Sequence, residues 1–414
     1  MTVLVISNNF LSDSLNNGKT LKYLLSNYED KDLLWVYSTP LALDLDCSIN
    51  RVLVSPFARK LIVSSGKSDL VEAVTVKQET QNFTQRIKKI TNVIPRSSLL
   101  YNCLRLSRDL IYLSRFYFYF KFILSECKKH NIEKVLFIAG DFVFFHKLAR
   151  RLSCFLNIPL HVFVTDDYIL KYSPGEKHAF RKGVFNRLLL KNFEKSFSKS
   201  EKNYFISNKM RDVYHNVFGI DGHISFNATN LKYPIKPNKK PQEKSVIRYF
   251  GSLHSGRDNA LVELLRLATL FNKNNKNQVF FEIYTSHNTL TEMFKEFPVQ
   301  LVTFMNPLTG VDYQKALIEA DALILLESFK ICDLQNTWLS FSTKVLEYLN
   351  SKNNIIAYGP TENPSIYELV SNDAAIYIDS YEKFNSLFSH EASICLLRNS
   401  DSVRKKLLNK NQLF

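Results

Sequence analysis

The sequence has little glycine and no closely paired cysteines. Glycine accounts for 11 of the 414 residues, less than half of its usual share of about 7%, so collagen-like and linker-like chains are excluded and glycine-rich phosphate loops must be few. The six cysteines are scattered without a CxxC pair, which excludes a zinc ribbon and a dithiol redox motif. A reducing, cytoplasmic compartment is the simplest expectation for such a chain.

Long apolar runs are also missing. The longest, residues 110–124, is interrupted by Arg115 and Lys121 and falls short of the roughly 18 residues that a transmembrane helix needs. The chain does not open on a basic segment followed by an apolar run, so we expect no signal peptide. With 45% hydrophobic and 22% charged residues, the composition is that of a globular protein, and the length predicts two or three domains.

Positive charge is concentrated in one part of the chain. The first 250 residues hold 39 Lys and Arg against 21 Asp and Glu, whereas the residues from 251 onward hold 15 against 18. A basic surface suits an anionic partner such as nucleic acid, an anionic lipid surface or a phosphorylated substrate; a solvated basic face is the alternative. Because no RNP-type aromatic motif, helix-turn-helix or zinc finger accompanies the charge, we expect no nucleic-acid partner.

Short apolar strands alternate with helical segments along both halves of the chain. The predicted strands are residues 3–7, 32–37, 134–141, 159–164, 202–207, 246–252, 279–284, 322–326 and 354–358. Apolar strands that alternate with helices predict parallel sheets covered on both faces.

A proline-rich and lysine-rich segment, residues 229–245, interrupts this alternation. Its three prolines exclude a helix interior and favour a linker. The sequence therefore predicts a Rossmann-like domain over residues 1–228, a linker over 229–245 and a second Rossmann-like domain over 246–414.

Polar residues that follow strands are the first candidates for a site, because ligands of open α/β sheets bind beyond the carboxyl ends of the strands. Ser342 and Thr343 stand where the N-cap of a helix belongs, Lys344 follows them, and Glu347 lies one turn further along. Free N–H groups, hydroxyls and a lysine at a helix N-terminus favour an anion, and a carboxylate one turn on can accept the hydroxyls of a ribose. An ordinary capped helix with a surface Lys–Glu pair is the alternative.

Residues 341–358 resemble the donor-site signature of GT-B glycosyltransferases of the group-1, or family-4, type, in which a helix with the pattern S-x-K-x-x-E-Y precedes a strand that ends in G-P. Residues 304–325 are similar to the family's nucleobase loop with its helix and strand, and residues 248–253 to the glycine turn that opens the second domain. The resemblance implies the GT-B fold, in which two Rossmann-like domains with parallel sheets face a central cleft.

The resemblance also implies an activity. A GT-B glycosyltransferase moves a sugar from a nucleotide-sugar donor to a hydroxyl of a growing glycan, here expected in the synthesis of a bacterial surface polysaccharide or lipopolysaccharide. The first domain would bind the acceptor and the second the donor. Glu347 would hold the ribose of the donor. Ser342, Thr343 and Lys344 would bind its diphosphate and stabilise the charge of the leaving group, which needs no metal or other cofactor.

Four further residues match the family's donor site. Arg257 and the turn at Gly251 would assist at the diphosphate, and Leu308 would contact the base through its backbone. Gly18, in a loop after the first strand, would let the first domain approach the phosphates.

The chain departs from many retaining members of the family at one position. Those members carry two glutamates eight residues apart, whereas Leu339 stands eight residues before Glu347. Whether the transfer retains or inverts the configuration is therefore left open, and an inverting enzyme would need a carboxylate or histidine base on the first domain.

Candidates for that base follow the strands of the first domain. They are Asp141, His146, Asp166 and Asp167. The run 165–167 directly follows an apolar strand, so we predict Asp166 or Asp167 as the base. The alternatives are that the two aspartates form loop turns or caps, and that His146 is a packing residue.

Residues 98–129 combine aromatic and basic side chains. On a helix, Arg105, Arg108 and Arg115 share one face, and a basic stripe beside an aromatic face suits an anionic membrane. A core helix of the first domain is the alternative. Together with the basic charge, the segment predicts a lipid-linked glycan acceptor and a cytoplasmic protein that is peripheral on the inner face of the cytoplasmic membrane.

Two other functions remain open from the sequence. One is a sugar-nucleotide epimerase with the GT-B fold, which would convert a donor without any acceptor. The other is a non-catalytic protein whose basic half binds nucleic acid.

Overall fold

The computed structural model describes residues 1–8, 21, 25, 28–38, 49–54, 63–64, 99–170, 184–225, 244–286 and 292–389. The chain divides into two compact units, the first reaching Asn227 and the second beginning at Ala228. Of the predicted linker, residues 229–245, only the last two are described, and they already belong to a strand.

An eight-stranded sheet forms the centre of the first unit. Its strands are β1 (Val3–Ser7), β2 (Leu33–Tyr37), β3 (Asn50–Leu53), β4 (Val63–Ser64), β5 (Lys134–Ile138), β6 (Leu160–Val164), β7 (Lys202–Phe205) and β8 (His223–Ile224). They lie in the order β4-β3-β2-β1-β5-β6-β7-β8, and every neighbouring pair is parallel except β3 with β4. From β1, the strands β2 to β4 follow on one side and the strands β5 to β8 on the other, so the strand order reverses between β1 and β5. Ligands of such sheets bind at this switch point, beyond the carboxyl ends of the strands.

The second unit contains a six-stranded parallel sheet. Its strands are β9 (Lys244–Phe250), β10 (Gln278–Tyr284), β11 (Val302–Met305), β12 (Ala322–Leu326), β13 (Asn354–Tyr358) and β14 (Ile376–Ile378). Their order, β11-β10-β9-β12-β13-β14, is the Rossmann order 3-2-1-4-5-6 when the strands are numbered from β9. The switch point of this sheet therefore lies between β9 and β12.

Helices cover the two sheets. In the first unit the described helices are α1 (Leu99–Ser114), α2 (Phe116–Lys129), α3 (Val143–Leu156), α4 (Val184–Phe197) and α5 (Asn208–Phe218). In the second unit they are α6 (Arg257–Asn274), α7 (Gly310–Glu319), α8 (Ile331–Thr337), α9 (Lys344–Asn350), α10 (Pro364–Val370) and α11 (Tyr381–Ser389).

The strands at the centre of each sheet are apolar because both of their faces are covered. β1, β2, β5 and β6 are buried along their whole length, and so are β12 and β13. In the second unit α6 and α11 pack on one another, with the ring of Phe271 lying 5.8 Å from that of Phe384. This burial explains the uniform apolar runs that predicted the strands.

The predicted alternation is confirmed. Each of the nine predicted strands coincides with an observed one, namely β1, β2, β5, β6, β7, β9, β10, β12 and β13. The strand predicted over residues 134–141 ends earlier, at Ile138, so residues 139–141 form the loop at the carboxyl end of β5. The α/β fold class predicted from the sequence is the one observed.

Candidate active site

A glycine turn and a lysine meet at the switch point of the second sheet. Gly251 follows β9 with φ 143°, a conformation that residues with a side chain rarely adopt. A Cβ atom at Gly251 would overlap the end of the Lys344 side chain. The Lys344 ammonium also lies 5.6 Å from the centroid of the Tyr249 ring. The structure thus brings together two predicted donor-site residues that are 93 positions apart in the sequence. The Lys344 ammonium lies beside the backbone of Gly251.

The start of α9 holds two further predicted donor-site residues, Ser342 and Thr343. Thr343 occupies the N-cap position, but its side chain makes no capping hydrogen bond. The backbone N–H of Ser342 donates to the Ser365 hydroxyl at 2.7 Å. Thr343 thus stands at the N-cap, where the sequence pattern placed it, and the binding of a diphosphate by Ser342 and Thr343 stays a prediction.

Glu347 lies one turn into α9 and is almost completely buried, with 1% of its surface exposed. The Tyr313 hydroxyl, on α7, donates a hydrogen bond to Glu347 Oε2 at 2.7 Å. The next residue, Tyr348, accepts a hydrogen bond from the backbone N–H of Phe250 at 3.3 Å, which ties α9 to the end of β9. The carboxylate is thereby held at a fixed place near the carboxyl ends of the central strands.

Arg257 opens α6 and is already paired. Its Nη2 donates to both carboxylate oxygens of Glu327, at 2.9 and 3.0 Å, and its Nε donates to the Leu326 carbonyl at 3.2 Å. Burial opposes the charge of Arg257, yet the Glu327 carboxylate outweighs it and raises the pKa of Arg257 above its usual value. Arg257 thus lies at the switch point with its charge balanced by a buried carboxylate, and its contact with a diphosphate stays a prediction.

Glu327 was not predicted as a site residue. It directly follows the apolar strand β12 and is 3% exposed. The rule that polar residues after strands mark the site would have found it. Its role in the structure is to hold Arg257 between the ends of β9 and β12.

The two remaining donor-site predictions are less constrained. Leu308 lies half-buried in the loop between β11 and α7, and its contact with a base stays a prediction. Gly18 lies outside the described residues.

A carboxylate balanced by two arginines follows β5 in the first unit. Asp141 accepts hydrogen bonds from Arg105 Nη2 at 2.6 Å and from Asn8 Nδ2 at 3.3 Å, and Arg108 Nη1 lies 3.8 Å away. Burial would raise the pKa of Asp141, but the charges of Arg105 and Arg108 outweigh it and lower the pKa to about 2. A carboxylate with so low a pKa is a weak general base.

This cluster corrects the predicted basic stripe. Arg105 and Arg108 do not share an exposed face with Arg115: their side chains are 11% and 27% exposed and turn towards Asp141. Their guanidinium groups also stack on aromatic rings, Arg105 on Phe185 at 4.5 Å and Arg108 on Phe142 at 4.6 Å. Of the three arginines only Arg115 is exposed. Arg105 and Arg108 are turned inward, where their charges balance that of Asp141.

The two predicted bases lie in different environments. Asp167 is 3% exposed, and its Oδ1 accepts hydrogen bonds from the Ile169 and Leu170 amides at 3.0 and 2.8 Å and from the Tyr214 hydroxyl at 2.8 Å. Burial raises the pKa of Asp167 despite these donors. Its side chain shapes the turn after β6. Asp166 is half-buried, and its Oδ1 accepts from the Asp167 amide at 2.9 Å.

His146 is a packing residue of the first unit. It is fully buried, with Nε2 2.9 Å from the Gly140 carbonyl oxygen and Nδ1 3.0 Å from the Ser196 hydroxyl. Burial lowers the pKa of His146 to about 4, so the ring is neutral at pH 7. Without access to a substrate it is not available as a base.

A small pocket lies at the switch point of the first sheet. Asn8 follows β1, Gly140 follows β5, and Thr165 and Tyr168 follow β6; together with Ser7, Leu21, Ile138 and Ala139 they line it. The Thr165 hydroxyl is buried there and has no hydrogen-bond partner in the described part of the chain. A buried hydroxyl without a partner favours a ligand or water that can hydrogen-bond to it.

Two features are missing from the described parts of the chain. Within them, His, Cys, Asp and Glu side chains do not form a group of three or more that could hold a metal ion. None of the described helices has the length and apolarity needed to cross a lipid bilayer.

The similarities of this chain to known proteins were found among solved structures. No protein-family model matches the chain, and no curated protein matches it. A glycosyltransferase of Rickettsia africae is 12% identical, with a TM-score of 0.55 over 100% of this chain and 94% of its own. The E. coli trehalose-6-phosphate structure bound with UDP-2-fluoro glucose is 9% identical, with a TM-score of 0.57 over 100% and 96%.

A third similar structure is an α,α-trehalose-phosphate synthase of Burkholderia xenovorans in complex with glucose-6-phosphate. It is 9% identical, with a TM-score of 0.55 over 99% of this chain and 97% of its own. At such low identities the similarity establishes the fold alone. The GT-B fold that the sequence resemblance implied is thereby confirmed.

Proposed function

We propose that this protein is a glycosyltransferase that moves a sugar from a nucleotide-sugar donor to a hydroxyl of a growing glycan. The observation that carries the proposal is the arrangement at the switch point of the second sheet, where Lys344 lies beside the Gly251 turn and the buried Glu347 lies one helical turn away. Similar structures that hold UDP-2-fluoro glucose and glucose-6-phosphate support a nucleotide-sugar donor and a sugar acceptor.

The second unit would bind the donor. The Lys344 ammonium is placed to pair with the diphosphate, and the absence of a side chain at Gly251 leaves room for the end of that lysine. Glu347 would accept hydrogen bonds from the ribose hydroxyls, and Leu308 would lie beside the base. When the bond between the anomeric carbon and the diphosphate breaks, the negative charge that grows on the leaving oxygen is stabilised by the lysine.

The first unit would bind the acceptor. The pocket with the buried Thr165 hydroxyl offers a hydrogen-bond partner to a sugar hydroxyl. Asp166 follows Thr165 and is the more exposed of the two predicted bases, so we assign it the proton of the acceptor hydroxyl. The acceptor oxygen attacks the anomeric carbon, its proton passes to Asp166, and the nucleoside diphosphate leaves. A base of this kind fits an inverting transfer.

The acceptor is proposed to be a lipid-linked glycan of a bacterial surface polysaccharide or lipopolysaccharide, reached at an anionic membrane. The support comes from the junction of α1 and α2, where Leu110, Ile111, Tyr117 and Phe118 are 43–67% exposed. Exposed Arg115 and Lys121 accompany them, and the Lys121 ammonium lies 4.4 Å from the Tyr117 ring centroid. Aromatic and basic side chains together favour the boundary of an anionic bilayer.

The donor site is tested first by thermal unfolding in the presence of UDP-, GDP-, ADP-, TDP- and CMP-sugars. A ligand at 100 times its dissociation constant stabilises the folded protein by about 2.7 kcal/mol, so one donor should raise the melting temperature clearly. Lys344→Ala removes a charge-assisted contact to phosphate and should weaken that donor about tenfold or more.

The matched control is Lys315→Ala, an exposed lysine of the same unit that lies 3.8 Å from Glu319; it should keep the wild-type affinity. A wild-type protein that binds none of the donors would contradict the donor site. Conversion of a bound donor into an epimer without any acceptor would contradict transfer and indicate an epimerase instead.

A further inference from the structure

A buried hydroxyl, that of Thr165, lies at the switch point of the first sheet. Thr165 directly follows β6, and 8% of its surface is exposed. Its Oγ1 atom makes no hydrogen bond in the part of the chain that the structure describes, although a hydroxyl can both donate and accept. Because buried polar atoms of folded proteins nearly always have a partner, the pocket that Thr165 lines is the place from which one can come.

The amide of Asn8 lines the same pocket, in an orientation that Asp141 determines. Asn8 Nδ2 donates to Asp141 Oδ1 at 3.3 Å, and Arg105 Nη2 donates to Asp141 Oδ2 at 2.6 Å. The pKa of Asp141 is about 2, so its carboxylate is ionised at pH 7 and can only accept hydrogen bonds. The nitrogen of the planar amide must therefore face Asp141, and the amide oxygen is turned away from it.

The loop after β5 leaves the room that this orientation needs. A Cβ atom at Gly140 would lie 2.9 Å from Asn8 Nδ2 and 3.5 Å from Asn8 Cγ. The carbonyl oxygen of Gly140 is itself held by His146 Nε2 at 2.9 Å. One added methyl group at Gly140 would therefore displace the Asn8 amide.

The pocket is polar but uncharged. Among the described residues, those that line it have hydroxyl, amide or apolar side chains, or none, and carry no charge at pH 7. A phosphate or carboxylate group would lose its hydration there without gaining a cation from the lining. A hydroxyl group can donate to one atom and accept from another, so it matches an amide oxygen and a second hydroxyl.

We propose that Asn8 and Thr165 form a subsite for an uncharged hydroxyl group of the acceptor sugar. This inference rests on the proposed function, because it assigns the pocket to an acceptor. The Thr165 hydroxyl and the Asn8 amide oxygen bind the group, and Asp141 is a positioning residue that acts through the amide. Asp166, to which we assign the proton of the attacking hydroxyl, is not among the residues that line the pocket. The subsite therefore selects acceptors by a second hydroxyl.

The experiment measures dissociation constants by NMR titration for methyl glucoside, methyl galactoside and methyl mannoside, with glucuronate and glucose-6-phosphate as anionic probes. The wild-type protein should bind one of the neutral sugars, and more tightly than either anion. Thr165→Val keeps the shape of the side chain and should weaken that sugar about threefold to tenfold, the factor for one neutral hydrogen bond. Thr165→Ser keeps the hydroxyl and should retain most of the affinity.

Stability should change in the opposite direction to affinity. Thr165→Val should raise the midpoint of urea unfolding of the sugar-free protein, because it removes a buried hydroxyl that has no partner in the described chain. A hydroxyl with a purely structural role would give a lower midpoint. Thr269→Val is the matched control: Thr269 Oγ1, on α6, donates to the Leu265 carbonyl at 2.8 Å. This variant should not raise the midpoint and should keep the wild-type affinity for the sugar.

Gly140→Ala tests the orientation of the amide without removing a polar group. It should weaken the neutral sugar severalfold, as Asn8→Ala should, and the double variant should lose no more than the larger single loss, because the methyl group acts through the amide. An unchanged affinity in Gly140→Ala and Asn8→Ala would overturn the role of Asn8.

Binding of the nucleotide-sugars, measured in the same proteins, separates this inference from the proposed function. If the wild-type protein binds a donor but none of the neutral sugars, or binds an anionic probe more tightly, the subsite is overturned and the donor site stands. If Thr165→Val lowers the midpoint or keeps the wild-type affinity for the sugar, the subsite is likewise overturned. If a neutral sugar binds as expected but no donor binds, the proposed transfer fails while the pocket remains a hydroxyl-binding site.

Discussion

At the scale of single residues, two carboxylates of the first unit respond to burial in opposite ways. Asp109 is fully buried and receives a hydrogen bond from the Phe144 amide at 3.2 Å. Its burial raises the pKa to about 6, in spite of the neighbouring Arg108. Asp141 is held near a pKa of about 2 by Arg105 and Arg108, which outweigh the effect of its burial. The difference lies in the number of cations that each carboxylate faces.

Asp109 should make the folded state less stable as the pH rises. Its pKa is 3.8 in an unfolded chain and about 6 in the folded protein, so its stabilising contribution is complete below about pH 4 and is lost between about pH 4 and 6. Asp109→Asn keeps an oxygen for the Phe144 amide and stays neutral. We expect it to flatten the pH dependence in that window and to raise the free energy of unfolding at pH 7 by about 1–3 kcal/mol.

Urea unfolding at a series of pH values provides the measurement, and Asp141→Asn is the comparison. The pKa of Asp141 is lowered on folding, so its stabilising contribution is present above about pH 4 and is lost only as the pH falls towards 2. Its replacement should therefore lower stability at pH 7, the opposite sign to Asp109→Asn. Equal signs for the two variants would contradict this account of the cluster.

A site residue could be predicted only where it and its neighbours in the sequence form a recognisable pattern. Lys344 and Glu347 belong to one helical turn with a recognisable pattern, and Gly251 ends a clear strand. The position of Glu327 directly after a strand marks it in the sequence, but its pairing with Arg257, 70 positions away, does not show there, and neither does the contact of Tyr313 with Glu347, 34 positions away. Such distant pairs depend on how helices and strands pack, which spacing along the chain does not contain.

At the scale of helices and strands, prediction succeeded where both faces of an element are buried. The central strands read as continuous apolar runs for that reason. Among the described strands, β3, β4, β8, β11 and β14 were not predicted. They have two to four residues each and lie towards the edges of the sheets, and β3, β8, β11 and β14 each contain residues that are not fully buried. Their pairing with a neighbour, rather than their composition, makes them strands.

The contact between α3 and α4 depends on a buried polar network around Ser196. Arg150 Nη1 donates to the Ser196 hydroxyl at 2.9 Å and to the Asn192 carbonyl at 2.7 Å. His146 Nδ1 lies 3.0 Å from the same hydroxyl. Ser196→Ala should lower the free energy of unfolding by about 1–3 kcal/mol, because it leaves the buried Nδ1 of His146 without its partner and removes one of the two hydrogen bonds of Arg150 Nη1. Chemical unfolding measures the loss.

The matched control for this network is Ser198→Ala. The Ser198 hydroxyl donates to the Lys195 carbonyl at 3.2 Å in an exposed position close to the same helix. Its loss should change stability by less than about 0.5 kcal/mol. If the two serine variants were equally stable, the polar network would not hold the helices together.

At the scale of the whole molecule, the two units differ in net charge. The excess of Lys and Arg lies before residue 251, and the rest of the chain is slightly acidic. Part of the basic charge is neutralised internally, as Arg105 and Arg108 are by Asp141. The charge that remains exposed near Tyr117 and Phe118, on Arg115 and Lys121, is what an anionic surface would meet.

This distribution predicts binding of the protein to vesicles that contain phosphatidylglycerol and much weaker binding to vesicles of phosphatidylcholine alone, measured by co-sedimentation. Replacing Tyr117 and Phe118 by serine removes apolar area that would enter the bilayer boundary, so bound protein should fall severalfold. Tyr367→Ser, which removes a 52% exposed aromatic side chain of the second unit, should leave binding unchanged. Salt should weaken the attraction because exposed charges are screened within about 8 Å at physiological ionic strength. Equal binding to both vesicle types, or equal loss in the Tyr367 variant, would contradict a membrane surface at the α1–α2 junction.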